Sequence, residues 1–295
     1  MTKKTFWAVV ICLFTASSCS NENENMVNNV LPEETVAPVT VHVDEFSVEQ
    51  GFFPGTRGTA VGDYASLKVL TLAFFKNGTE VCKYTQFKND PSTYTTFGEF
   101  SCSLGLGSYT MVVLGYGGES AITLTSPTSA TYTDAARDTF AATQEVNVTN
   151  SEAKNLTATL DRIVSLVAVI STDDRAADVT AIRTTLTGGS KSFNPTTGLA
   201  TDNAGLVNTV TTTAIGVTQI ANYVFLATDE QTVNVTIETL DAGNNVLFSK
   251  TVNDVPLKRN RMTKLSGAMY SPSASVTAGS FELNTDWLTS YPISF

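Results

Sequence analysis

The chain has 295 residues, 42% of them hydrophobic and 16% charged, which is too apolar and too weakly charged for a disordered protein and, at about 100–150 residues per domain, long enough for two domains. Its formal net charge of -10, with no Lys/Arg stripe to offset it, repels phosphate and argues against a nucleic-acid partner. One histidine, His42, and two cysteines beyond the N-terminal segment, Cys82 and Cys102, fall short of the several ligands a zinc centre needs and leave a Ser-His-Asp or Cys-His site a single candidate base, so neither an enzyme, a bound metal nor a cofactor is expected.

At the N-terminus, Lys3 and Lys4 precede an apolar stretch at 6–14 (FWAVVICLF) and a small-residue run, Ala16-Ser17-Ser18, that ends at Cys19. The stretch falls short of the roughly 20 residues that span a bilayer, so it reads as a secretion signal over 1–18. The run into Cys19 resembles a bacterial lipobox, which implies cleavage before Cys19 and lipidation of its thiol; an ordinary signal with a chance cysteine is the plainer alternative. The acidic, Asn-rich run 20–25 resembles the export tags that carry lipoproteins of the Bacteroidota to the outer face of the outer membrane. Residues 19–36 then read as a lipidated tether without hydrophobic periodicity.

Strand signals fill the rest. Val39, Val41 and Val43 alternate with polar neighbours and predict a half-buried strand that extends toward Val48, with His42 on it as an exposed strand residue. A Gly/Pro-rich loop follows at 50–59, and it contains Arg57 and Gly58. The segment 67–76 (LKVLTLAFFK) is too apolar for a strand buried on one side only and predicts a central one; Asn77-Gly78 predicts a tight hairpin into 80–87. Further strands are expected at 97–104, 108–116, 144–149, 156–160 and 163–170, while 131–142 is ambiguous. Cys82 and Cys102 flank Asp90-Pro91-Ser92-Thr93, and a hairpin turning at residue 92 would set them opposite one another. In an oxidising compartment they form a candidate disulfide, worth about 3 kcal/mol for a loop of this size; two free thiols are the alternative.

The polar stretch 149–155 (TNSEAKN) predicts a domain boundary, giving a first β-sandwich over 37–153 and a second over 154–295. In the second, strands are expected at 179–186, 219–228, 232–240, 246–252 and 262–270. No segment of about 12 residues keeps a helical period, so the expected fold is all-β: two tandem β-sandwich domains. Asp173, Asp174 and Asp178 form an acidic cluster that reads as a solvated loop, without the spacing of a calcium loop. Arg162, between a strand and an apolar run, reads as the structural partner of a carboxylate. A carboxylate pair for glycoside hydrolysis is not removed by counting alone, and Trp287 is the one tryptophan beyond the signal that could serve as a sugar platform.

Several of these features stand in an order that resembles the fimbrillin family of Bacteroidia, the lipoprotein precursors of type V pili. They are Cys19; the early strand followed by a loop with Arg57; 157–164 (TATLDRIV); 255–267 (VPLKRNRMTKLSG); and 281–287 (FELNTDW). Separately, Leu106-Gly107-Ser108-Tyr109 resembles the approach seen in transthyretin-like sandwiches. The resemblance implies a transthyretin-like N-terminal domain and a surface fimbria at the outer membrane as the location, with other fimbrial subunits as partners. It also implies either proteolysis after Arg57, so that Gly58 becomes the new N-terminus and the strand 39–48 leaves, or, as in the family's anchor subunits, an uncut loop and a retained first strand. After a cut, a neighbour's C-terminal strand, here carrying Tyr291, Ile293 and Phe295, takes its place by main-chain pairing. A surface lipoprotein that binds carbohydrate or another host ligand without polymerising is the competing expectation.

Overall fold

The structure, a computed structural model, describes residues 35–46, 61–62, 64–118, 122–212, 219–270 and 282–284. The first half contains β1 (Val36–Phe46), β2 (Val69–Lys76), β3 (Thr79–Phe87), a 3-10 turn at Pro91–Thr93, β4 (Glu99–Gly105), β5 (Gly107–Tyr116), β6 (Ile122–Ser126), β7 (Ser129–Tyr132), β8 (Thr139–Val148) and β9 (Lys154–Arg162). The second contains β10 (Ser165–Ser171), β11 (Ala181–Leu186), β12 (Ser192–Asn194), β13 (Leu199–Ala200), β14 (Leu206–Thr211), β15 (Gln219–Val224), β16 (Glu230–Leu240), β17 (Val246–Lys258), β18 (Met262–Gly267) and β19 (Glu282–Asn284). The fold is all-β, built as two sandwiches, as the absence of helical periodicity predicts.

In the first sandwich, β3-β2-β5-β8 faces β9-β1-β4. The two layers meet at a corner where β8 and β9 pair only at Phe140–Arg162 and Ala141–Asp161. The composition of β2 follows from what lies on each side of it. Leu70, Leu72 and Phe74 point into the core between the layers, whereas Val69, Ala73 and Phe75 point into a second core on the outer face. β5 divides its residues in the same way, Tyr109, Met111 and Val113 against Val112, Leu114 and Tyr116. A strand covered on both faces keeps period two in direction but loses it in polarity, which is why 69–75 is apolar except for Thr71 and buried along its whole length. The β2–β3 hairpin turns at Asn77 and Gly78, whose φ values of 53° and 78° are those of a turn that matches the strand twist.

The outer cover is a small sheet, β6-β7-β12-β13, with two strands from each half of the chain. β12 joins β7 through Ser192–Thr131 and Phe193–Ala130. Beneath it Phe193 stacks on Phe225 with centroids 4.1 Å apart, Tyr132 packs against both, and the Tyr132 hydroxyl shares a 2.7 Å hydrogen bond with Thr139 Oγ1. The second sandwich sets β15-β10-β18-β19 against β14-β11-β16-β17, and its core is built from Val167, Val169, Ile182, Val235, Ile237, Leu265 and their neighbours.

The boundary expected at 153/154 differs from the structure. Residues 149–153 form an arch between layers, not a linker, and β9 beyond it completes the first sandwich by pairing with β1. The chain crosses into the second sandwich at Ile163 and Val164, both buried in the core under the shared sheet. The polar arch is solvent-facing because it rounds the end of a sandwich, and polarity alone does not separate such a turn from a linker.

Because Phe193 is fully buried and belongs to the sheet built from both halves, Phe193→Ala is expected to lower stability by about 3–5 kcal/mol in urea denaturation. A loss below about 1 kcal/mol would contradict this account of the joint.

Candidate functional site

β1 is an inserted strand. On one side it runs antiparallel to β4, from Val36–Gly105 to His42–Glu99, and on the other parallel to β9, from Val39–Lys154 to Phe46–Leu160 with a bulge between Val43 and Glu45. Its inward residues, Ala37, Val39, Val41 and Val43, are buried among Leu72, Phe74, Met111 and Val113 of the facing layer. All four are small, three are β-branched and stiff, and each valine contributes about 1.5–3 kcal/mol by leaving water. Thr40 and His42 on the outward face are half-buried.

Within its layer β1 has no substitute. Among the described residues β4 has no ladder partner other than β1, and without β1 the strand β9 would keep only its two pairs with β8. The entrance from β4 is tight: the Val43 amide donates to Gly98 O at 2.8 Å, and a Cβ on Gly98, which has φ +94°, would lie 2.9 Å from Val43 O.

On the open side of the sandwich, β3 and β4 are the outer strands of opposite layers. They are therefore not the two arms of a ladder, as the hairpin expectation had it, because the connection through Pro91–Thr93 arches from one layer to the other. They nevertheless face each other. The buried Gln86 side chain of β3 donates to Glu99 O at 2.7 Å and accepts from the Gly98 amide at 2.8 Å. In the same antiparallel register, Cys82 faces Cys102, and the two free thiols hydrogen-bond. That hydrogen bond from Cys102 lowers the Cys82 pKa to about 7, against the opposing effect of burial, while the same contact pushes the Cys102 thiol up.

Where the first sandwich hands over to the second, Arg162 is held by a bidentate pair with Asp138, Nε to Oδ1 at 2.7 Å and Nη2 to Oδ2 at 3.0 Å. Nη2 also donates to the Tyr64 hydroxyl at 2.7 Å, Nη1 to Asn260 Oδ1 at 3.4 Å, and the guanidinium lies 4.6 Å over the Phe140 ring. Burial first, and then the Asp138 carboxylate, push the Tyr64 and Tyr223 phenols well up, so both stay neutral, and the Tyr64 hydroxyl donates to Asp138 Oδ2 at 3.0 Å. Arg162 is thus the carboxylate partner expected of it. Its partner across the corner is a residue that sequence spacing does not reveal.

Beside this cluster a cleft of about 1200 Å³ opens between the halves, lined among others by Ser66, Arg137, Asp138, Asn208, Asn222 and Tyr223. Two of its three carboxylates are engaged by arginines, Asp138 with Arg162 and Asp134 with Arg137, each at 2.7 Å, while Asp202 accepts from the Ala204 amide at 3.1 Å. Among the described residues no group of three or more His, Cys, Asp or Glu could hold a metal ion. Asp173, from the acidic cluster, instead accepts from the Met269 and Tyr270 amides, both at 2.9 Å. Cys19, Arg57, Gly58, Trp287, Tyr291, Ile293 and Phe295 lie outside the described residues. The segment 281–287 is represented only by β19, which pairs with β18.

Replacing one inward residue of β1 by a carboxylate tests the slot. Val41→Asp buries an unpaired charge and is expected to cost about 3 kcal/mol or more, whereas Thr40→Asp on the outward face stays within about 1 kcal/mol. Equal effects in denaturant titrations would contradict the burial of β1.

No curated protein matches the chain in sequence. Several solved structures share its fold. A candidate adhesin of Bacteroides thetaiotaomicron is 9% identical with a TM-score of 0.51 over 87% of this chain and 98% of that one. The fimbrial anchor protein Mfa2 of Porphyromonas gingivalis is 12% identical with a TM-score of 0.50 over 87% and 100%. A candidate adhesin of Bacteroides ovatus is 9% identical with a TM-score of 0.50 over 79% and 89%. The sequence profile of a family of unknown function, DUF6562, matches residues 120–286, from the shared sheet through the second sandwich and more than half of the chain. The chain therefore belongs to the DUF6562 family.

Proposed function

We propose that this protein is a non-enzymatic, fimbria-associated subunit of the cell surface, exported to the outer membrane as a lipoprotein on Cys19 and joined to other fimbrial subunits by strand replacement at the β1 slot. The observation that carries this reading is the position of β1. It is the first described strand, it is laddered on both edges, and among the described residues it alone ties β4 to the rest of its layer by a ladder. Removing it would open a groove floored by Leu72, Phe74, Met111 and Val113 and edged by the free backbone of β4 and β9. Such a groove is an aggregation hazard unless another extended strand with small alternating side chains fills it.

The segment between β1 and β2 contains Arg57, placed so that one cut would separate β1 from the body of the chain. Tyr291, Ile293 and Phe295 alternate with Pro292 and Ser294 and supply the pattern of a donor. The shared fold of the fimbrial anchor protein and the candidate adhesins supports a surface role. Two of the three cleft carboxylates, Asp134 and Asp138, are engaged by arginines, which is consistent with a role other than hydrolysis.

The cleft between the halves favours one alternative, a surface lipoprotein that binds a carbohydrate there without polymerising. Glycan-array binding that is lost in a cleft variant such as Asn208→Ala, in a protein that stays monomeric, would select it.

The proposed role predicts that surface-extracted precursor carries lipid on Cys19, and that protein cut after Arg57 begins at Gly58 and forms polymers resistant to mild denaturant. Terminal sequencing, mass spectrometry and gel analysis read these outcomes. A cut protein that releases β1 and remains monomeric at high concentration would contradict assembly by strand replacement.

A further inference from the structure

Cys82 and Cys102 sit at a mechanically exposed point. Cys82 pairs with the core-facing Phe74 on β2 and Cys102 with the core-facing Val39 on β1, so both side chains lie on the inner faces of their strands and pack on the first core. They close the side of the sandwich on which no ladder joins the two layers. Gln86 bridges the same gap with hydrogen bonds to Gly98 and Glu99 in the matching register. Both thiols are partly exposed and within reach of a soluble oxidant.

We propose that Cys82 and Cys102 are joined by a disulfide in the exported protein, and that this bond pins β4 to β3 so that β4 keeps its place when β1 is out of its slot. The second half of this statement rests on the reading of β1 as a replaceable strand. β4 has no described ladder partner besides β1, so the loss of β1 would otherwise leave it attached by side chains alone. With the bond in place, β4 becomes a fixed wall of the groove, and its free backbone edge stays in register for an incoming strand. Cys102 lies opposite Val39 in the ladder and packs on the first core, so its side chain borders the groove that β1 would leave.

The chemistry balances with a protein disulfide of the thioredoxin class as oxidant. The Cys82 thiolate, available near neutral pH, attacks one sulfur of the carrier disulfide and forms a mixed disulfide while the carrier's other sulfur leaves as a thiolate. Cys102 loses its proton to that thiolate and attacks Cys82 Sγ, expelling the second carrier sulfur. Two electrons and two protons pass to the carrier, which leaves as a dithiol.

The test uses the full exported chain, purified without reductant. Alkylation under denaturing conditions followed by mass spectrometry is expected to find Cys82 and Cys102 protected, and free thiols at both would overturn the proposal. Chymotrypsin is then applied to oxidised and reduced protein. Cleavage after Phe100 and Leu104 in β4 is expected to be slower by at least about tenfold in the oxidised state, with cleavage after Phe248 in β17 unchanged. Equal rates in β4, or equal slowing at Phe248, would overturn the pinning role. The Cys82→Ser/Cys102→Ser variant should behave as the reduced protein does, and reduction of the unsubstituted chain supplies the same comparison if that variant fails to fold. Failure of strand replacement shows separately, as cut protein that never exchanges β1, and leaves the thiol count and β4 protection as they are.

Discussion

The three-stranded layer β9-β1-β4 is held together by its middle strand. An ordinary sheet loses one edge when a terminal strand is removed, but here the first of the described strands is the one with partners on both sides. Its parallel pairing with β9 closes a long-range contact across most of the first sandwich, and its antiparallel pairing with β4 is the only described ladder that strand has. Four small inward side chains complete the core, and the backbone supplies the rest of the adhesion. Such a strand is held by general features, alternation and hydrogen bonds, more than by side-chain shapes unique to it, and another segment of similar pattern could satisfy the same slot.

The remainder of the molecule is braced as one body. The small sheet draws two strands from each half, and the Phe193–Phe225 stack beneath it buries apolar surface contributed by β12 and the end of β15 against β2 and β5. At the corner, Arg162 and Asp138 form a buried ion pair whose remaining donors reach Tyr64 and Asn260, so that one guanidinium touches both sandwiches. A pair of this kind adds little net stability compared with apolar packing, yet breaking it leaves a buried charge, which fixes how the second sandwich follows the first. Residues 120–286, which match the family profile, cover this joint and the second sandwich, while β1 to β5 lie outside the match.

Much of this was legible in the sequence where local pattern and tertiary environment agree. The high apolar content of 67–76 announced a strand covered on both faces, Asn77-Gly78 announced its turn, and the Val39, Val41, Val43 alternation announced β1. The midpoint of Cys82 and Cys102 gave their register even though the strands belong to different layers. What escaped were β6, β7, β12, β13 and β14: these are short or half-exposed, and the first four form one small sheet that closes only through the β7–β12 pairing between the two halves of the chain. Tyr64, Gln86 and Asp138 escaped for the same reason, since a polar residue that satisfies a distant backbone group or charge leaves no local periodicity behind it. The arch at 149–153 was misplaced as a boundary because a turn between layers and a linker between domains have the same composition.

The central claim is that the β4–β9 slot holds the chain's own β1 before cleavage and a neighbour's strand afterwards. A photo-crosslinking amino acid at Thr157 of β9, which lies opposite His42, reports the occupant directly. In the intact protein the adduct should be intramolecular and map to β1; after cleavage at Arg57 it should become intermolecular and map to residues 285–295 of a second copy or another subunit. An adduct that stays intramolecular with β1 in cut, assembled material would contradict the account.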